Sequence, residues 1–408
     1  MGPLCLAACT SDADCRADEG YVCDQHACSI PNLAAIVPQQ CPGADVHDKT
    51  FGDSELWGVG TQPSAVVEPT GFIAMFATMT GLAIAPDPAN VKAFAANGRD
   101  AVLARDDKTL FAAWRDSEAI ELASSTDGET WTTPTPIQAD DGSELGQPML
   151  AAGKSALFVM YGAGDHGLRV RTSHDGGKTF ATTVTPLAGA YGNAVVDDTG
   201  ALHIVTLNGN EYGGYGSAQQ RIEYATSRDG ATFTAPLVVS GRDERLPTYF
   251  ANPSIAVDTR RKWLYIAYVR GGRDARWEIV VAATKDGGKT WTRRTIGDGC
   301  AIHLVPNLAL DPVSGTLHLA YYDNAGSVGR FAHASCTIGA TACSPSGAIN
   351  TQPFAALPLG RRTALFLGDR ESLFVDAKRR VLHAMWTQPV LEDNAIVSRV
   401  FHATAKLR

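Results

Sequence analysis

Ser173-His174-Asp175-Gly176-Gly177-Lys178-Thr179-Phe180 is the stretch on which the reading of this chain turns. Its spacing, hydroxyl-x-Asp-x-Gly-x-Thr-aromatic, returns as Thr284-Lys285-Asp286-Gly287-Gly288-Lys289-Thr290-Trp291. Two further copies are one residue shorter: Ser125-Thr126-Asp127-Gly128-Glu129-Thr130-Trp131 and Ser227-Arg228-Asp229-Gly230-Ala231-Thr232-Phe233. In such a segment the carboxylate and hydroxyl accept hydrogen bonds from turn amides that a strand ladder leaves unpaired. Glycine supplies the positive φ of a tight turn, and the closing ring is a large apolar wedge. The aspartates stand at 127, 175, 229 and 286, spaced 48, 54 and 57 residues apart. That period suits a four-stranded propeller blade. Each copy follows paired apolar strands, as in Asn252–Asp258 with Trp263–Tyr268, and a like pair without a following copy stands at Val305–Asp311 with Thr316–Tyr321.

These motifs resemble the Asp boxes (bacterial neuraminidase repeats) of the sialidase superfamily of β-propellers. The resemblance implies that Asp127, Asp175, Asp229 and Asp286 are structural, at the turn between third and fourth strands, on the face away from the ligand.

Inner strands beginning near Arg99, Gln147, Asn193, Asn252, Val305 and Arg362 predict an all-β, six-bladed propeller over residues 98–408. The last blade runs out after its third strand, which would leave an open sheet edge. Residues 46–97 then read as a linker whose spare strand material, Gly71–Phe76 or Leu82–Ala85, supplies the closing outer strand. The blade after Asp286 lacks an Asp box. There Cys336 and Cys343 replace the first hydroxyl and the aromatic ring at the same separation of seven, so a bridge across the turn is expected.

Residues 1–45 read as a small disulfide-rich module, since five of the nine cysteines fall between Cys5 and Cys28. Cys9, Cys15, Cys23 and Cys28 contain no Cys-x2-Cys pair, and disulfides are the better reading than zinc. Cys5, Cys41 and Cys300 leave two pairings open, Cys41–Cys300 or Cys5–Cys41. The segment resembles Cys-rich modules of secreted myxobacterial proteins, and an oxidising setting (secreted, periplasmic or cell-surface) follows. The formal charge is −8 without a Lys/Arg block, which speaks against nucleic acid. No apolar run reaches the roughly 18 residues of a membrane helix. A monomer is expected.

Loops on the ligand face carry function in such scaffolds. The sialidase resemblance implies three arginines gripping a carboxylate bidentately, a tyrosine nucleophile activated by a glutamate, and an aspartate acid–base. Arg99 stands where the family has its first arginine, although the family's Arg-Ile-Pro is here Arg99-Asp100-Ala101. Asp116 falls in the loop that would carry the acid. Glu211, Tyr322, Arg270, Arg273 and Arg362 are candidates for the remaining roles, with Arg115, His166, Tyr212 and His303 as further ligand-binding candidates. No tyrosine motif stands near the end of the chain. His166 and His303 lack metal-ligand spacing, and neither metal nor cofactor is expected. Two functions remain: glycan recognition, with or without hydrolysis, at the central channel, and non-catalytic docking of a protein or cell-wall polymer.

Overall fold

The repeated segments form hairpin turns between third and fourth strands. At the first, Asp175 Oδ1 accepts the amides of Lys178 and Thr179 at 3.0 and 2.9 Å. Its Oδ2 accepts the Thr179 hydroxyl at 2.6 Å. Ser173 Oγ donates to the same carboxylate and accepts the Gly177 amide. The longer copies place two glycines at positive φ, Gly176 and Gly177 at 77° and 90°, where the shorter copies use one, Gly128 at 74°. That second left-handed residue accounts for the difference in length. The closing ring lies between blades: Trp131 meets Phe94 edge-on at 5.2 Å, and Phe94 meets Trp114 likewise.

The computed structural model describes residues 11, 22–24, 27–29, 47–69, 71–116, 118–139, 145–163, 167–189, 191–208, 220–247, 252–271, 277–297, 302–325, 328–352, 354–355, 370–392 and 395–408. They form a short hairpin, Val22–Asp24 with Ala27–Ser29, and seven antiparallel sheets of propeller topology. By chain order the inner strands are Thr61–Val67 (blade I), Arg99–Arg105 (II), Met149–Ala152 (III), Tyr191–Val196 (IV), Ser254–Asp258 (V), Ile302–Leu310 (VI) and Ser372–Asp376 (VII). Each contacts the next, and the strand of blade VII returns to that of blade I, so the ring is closed. Among the described residues no helix is long and apolar enough to cross a membrane.

The expectation of six blades is corrected to seven. Thr61–Val67, Phe72–Thr78, Gly81–Ala85 and Lys92–Ala96 make a complete sheet. The stretches Gly71–Phe76 and Leu82–Ala85 are therefore blade I, and neither closes the ring. Closure falls to Glu55–Val59, which pairs antiparallel with Ala395–Lys406, the third strand of blade VII. Blade I escaped notice because its outer turn is built on Asp87. That carboxylate accepts the Ala89 amide and the Asn90 side chain, which serves the same need with a different sequence. In blade VI, Cys336 and Cys343 are bonded across the corresponding turn, with Cα atoms 4.0 Å apart. Cys9 and Cys15, and the side chains of Cys23 and Cys28, lie outside the described residues.

Small residues let the blades approach. Ala112, Ala113, Ala267, Ala282 and Ala320 are buried, as are the large rings Tyr265, Tyr268, Tyr321 and Trp386 on second strands. Inner-strand serines join neighbouring blades. Ser64 Oγ accepts the Leu103 amide, Ser254 Oγ that of Leu308, and Ser372 Oγ that of Ala65.

Candidate functional site

The inner strands of all seven blades line a central cavity of about 260 Å³. In blades IV to VII the inner strand ends on a turn-capping aspartate: Asp197, Asp258, Asp311 and Asp376 each accept amides of the turn that follows. Aligning the strands on these residues puts Asn193, Ser254, Asn307 and Ser372 at one level of the channel. The level before it holds Gly192, Pro253, Pro306 and Glu371. Among the described lining residues Glu371 is the one acid and Arg370 the one base. The rest of the wall is apolar side chain, serine, asparagine and strand backbone.

Glu371 is 6% exposed and its carboxylate is held from blades VI and VII. Oε1 accepts the Tyr322 hydroxyl at 2.5 Å, and Oε2 accepts the Thr387 amide at 3.1 Å. Tyr322 is fully buried, and its oxygen also contacts the backbone of Thr387. Burial first, and then the adjacent Glu371 charge, push the phenol well above its ordinary range.

The other sequence candidates are distributed as follows. Arg99 opens the inner strand of blade II as an exposed residue. Arg115 is bound to Asp100, with Nη2 at 2.8 Å from Oδ2, and donates to Leu145 O. Asp116 caps its own turn, accepting the amides of Glu118 and Ala119. Arg270 lies between Glu244 and Glu278, at 3.4 and 2.7 Å, and Tyr268 donates to Glu244 as well. His303 is 2% exposed, edge-on to Tyr321, with Nε2 3.9 Å from Asp323 Oδ1. None of these borders the cavity. Asp127, Asp175, Asp229 and Asp286 occupy turns at the opposite strand ends from the loops between second and third strands. The amides and hydroxyls around them hold all four carboxyls below the usual range. His166, Glu211, Tyr212, Arg273 and Arg362 lie outside the described residues. Among the described residues no group of three His, Cys, Asp or Glu side chains is placed to hold a metal.

Solved structures resemble this arrangement at low identity. YCF48 bound to D1 peptide aligns over 92% of this chain and 98% of its own, at 12% identity and a TM-score of 0.50. A PL25 polysaccharide lyase, an ulvan lyase with bound sugar, aligns over 74% and 79%, at 12% identity and 0.49. The Hadza microbial sialidase Hz136 aligns over 76% and 66%, at 15% identity and 0.44. No protein-family model matches the chain, and no curated protein sequence does. Shared architecture at such identities speaks to the propeller fold alone.

Sequence reasoning named Tyr322 but missed Glu371, its partner 49 residues further on. The signal was present in the inner strands. Where blades IV, V and VI carry glycine or proline, blade VII carries a carboxylate.

Proposed function

We propose that this chain is a binding propeller that recognises a neutral, hydroxyl-rich ligand, a glycan unit, in the channel without hydrolysing it. The observation that carries this reading is the composition of the wall. Asn193, Asn252, Asn307 and Ser64 make its polar part uncharged, with Asn307 Nδ2 donating to Val305 O and Ser64 Oγ accepting the Leu103 amide, and the one acid accepts hydrogen bonds at both oxygens. Sugars present hydroxyl edges and apolar faces, which such a wall can meet. A volume of about 260 Å³ lies just below the usual range of ligand pockets (~300–1,000 Å³) and limits the ligand to a small unit such as a single ring. Most glycosidic hydrolysis uses two carboxyl groups about 5–10 Å apart across the bond, and the tyrosine–glutamate route needs a further acid beside that pair; the described wall supplies one carboxyl in all. Of the described arginines that could grip a carboxylate, Arg115 and Arg270 are engaged by Asp100, Glu244 and Glu278, Arg99 stands off the cavity, and Arg370 in the wall donates Nη1 to Pro148 O. Propellers of similar architecture have been solved with a bound sugar and with a bound peptide, so the test separates the two.

A glycan array probed with the full chain, beside a hydrolysis screen on fluorogenic glycosides that includes a sialoside, distinguishes the outcomes. Saturable sugar binding without turnover is expected. Turnover that disappears in Asp116→Ala or Tyr322→Phe would restore the hydrolase reading, for which the Tyr322–Glu371 pair is the specific observation. Binding of peptides with no sugar signal would move the reading to protein docking.

A further inference from the structure

The second strands of blades II to VII share a pattern, leucine followed by an aromatic ring: Leu110-Phe111, Leu157-Phe158, Leu202-His203, Leu264-Tyr265, Leu317-His318 and Leu382-His383. The ring is a histidine in blades IV, VI and VII; His203 meets the Tyr224 hydroxyl at 2.7 Å, whereas in blades VI and VII the partner is a second histidine on the third strand. His318 Nδ1 lies 3.1 Å from His333 Nε2, and His383 Nδ1 lies 3.1 Å from His402 Nε2. Both pairs have the same register, with His318 opposite Ser335 and His383 opposite Thr404, and the partner two residues earlier in each case. The rings stack at 5.3 Å in both.

Each pair ends on an acid from one segment, residues 47–59. Asp48 Oδ2 is 2.8 Å from His333 Nδ1, and Glu55 Oε2 is 3.7 Å from His402 Nδ1. The same segment covers the rings with apolar bulk. Phe51 stands edge-on to His333 at 5.1 Å and Trp57 edge-on to His402 at 5.5 Å, both 4% exposed. This is also the segment that closes the ring, through Glu55–Val59 on Ala395–Lys406 and the His47–Ala348 and Phe51–Ala405 bridges.

We propose that the two histidine pairs are a proton-sensitive latch, and that acid releases residues 47–59 from blades VI and VII and so opens the ring. The inference is independent of what the channel binds. Closed, the four rings are nearly dry, and a proton on either member of a pair places a cation against its neighbour. Opened, His333 loses Phe51 and Asp48, and His402 loses Trp57 and Glu55 while keeping Phe72 of blade I at 5.0 Å. Other charges face the pairs. Asp311 and Arg380, themselves ion-paired, approach His318, and Asp376 and Arg379, also paired, approach His383. Each such couple is internally neutralised. Burial lowers His318 and His383 from 6.5 to about 4, and His402 to about 3. The sign follows: the folded values lie below the unfolded one, so the open state binds more protons. Closure is therefore complete above about pH 6.5 and weakens as pH falls toward 4.

Hydrogen exchange of the full chain at pH 7.5, 6 and 5, corrected for the intrinsic rate, tests this. Amides of residues 52–60 and of the Ala395–Lys406 strand should lose protection in acid while blades III to V keep theirs. One proton taken up by His402 on opening gives up to about tenfold per pH unit, and uptake by His318 and His383 as well gives up to about a thousandfold. His318→Phe with His383→Phe installs the ring that blades II and III already use, and should cut that dependence to about tenfold. Unchanged protection at residues 52–60 down to pH 5 would overturn the proposal. So would simultaneous loss in blades III to V, or a double variant that follows the unmodified pH course. If the double variant does not fold, the profile of the unmodified chain alone decides between these outcomes.

Discussion

The phenol of Tyr322 ties blade VI to the carboxylate that faces the channel from blade VII. In Tyr322→Phe that buried carboxylate loses one donor, and an unsatisfied buried group costs about 1–3 kcal/mol. A loss of that size in chemical denaturation, with no glycosidase activity to remove, is the expected outcome. Gly230 is a second residue whose side chain, here its absence, matters. Its φ is +72°, and an added Cβ would lie 2.2 Å from Thr172 Oγ1 and 2.7 Å from Phe158 of the preceding blade. Gly230→Ala should destabilise by about 1–3 kcal/mol through the left-handed backbone and the contact together. A thermal midpoint no lower than that of the parent chain would contradict this account of the turn. At this scale the sequence was informative where a local rule operates and silent elsewhere. The residues of the repeated turns announce themselves because the hydrogen-bond partners of their aspartates lie within a few positions. Glu371 does not, because its partners come from Tyr322 and Thr387, two strands on different blades.

Single sheets show the same division. Four blades were legible from turns that satisfy their own amides, and blade VI from its cysteines. Blade I was hidden because Asp87 and Asn90 make its outer turn with other residues. The Cys336–Cys343 bond closes a loop so short that chain-entropy reasoning gives about 2–3 kcal/mol. Replacing both cysteines by serine should lower unfolding free energy by that amount and leave far-ultraviolet circular dichroism unchanged. A loss of sheet signal would mean that the bond is needed to form the blade as well as to hold it. Strand ends are also stitched at the turns between first and second strands. Arg261 donates to Val313 O in blade VI, Arg380 grips Asp311 from blade VII, and Arg379 reaches Pro69 O in blade I. The sequence shows basic turns there, but which neighbour they reach depends on the ring.

For the whole molecule, the number of blades and the route of closure were the properties a linear reading could not fix, because both depend on which strand meets Ala395–Lys406. Deleting residues 1–60 would expose that 12-residue strand along its length. Such an edge invites pairing between molecules, so light scattering of the truncated chain should report association that the full chain lacks. The channel is likewise a property of the assembled ring, since no blade supplies more than a few of its wall residues. Isothermal titration of the full chain and of Asn193→Ala with Asn307→Ala, using the sugar that the array identifies, tests the account most directly. Two hydrogen bonds lost from the wall should weaken binding roughly tenfold or more, with no product formed in the cell. Equal affinity in the two proteins would place the ligand somewhere other than the channel.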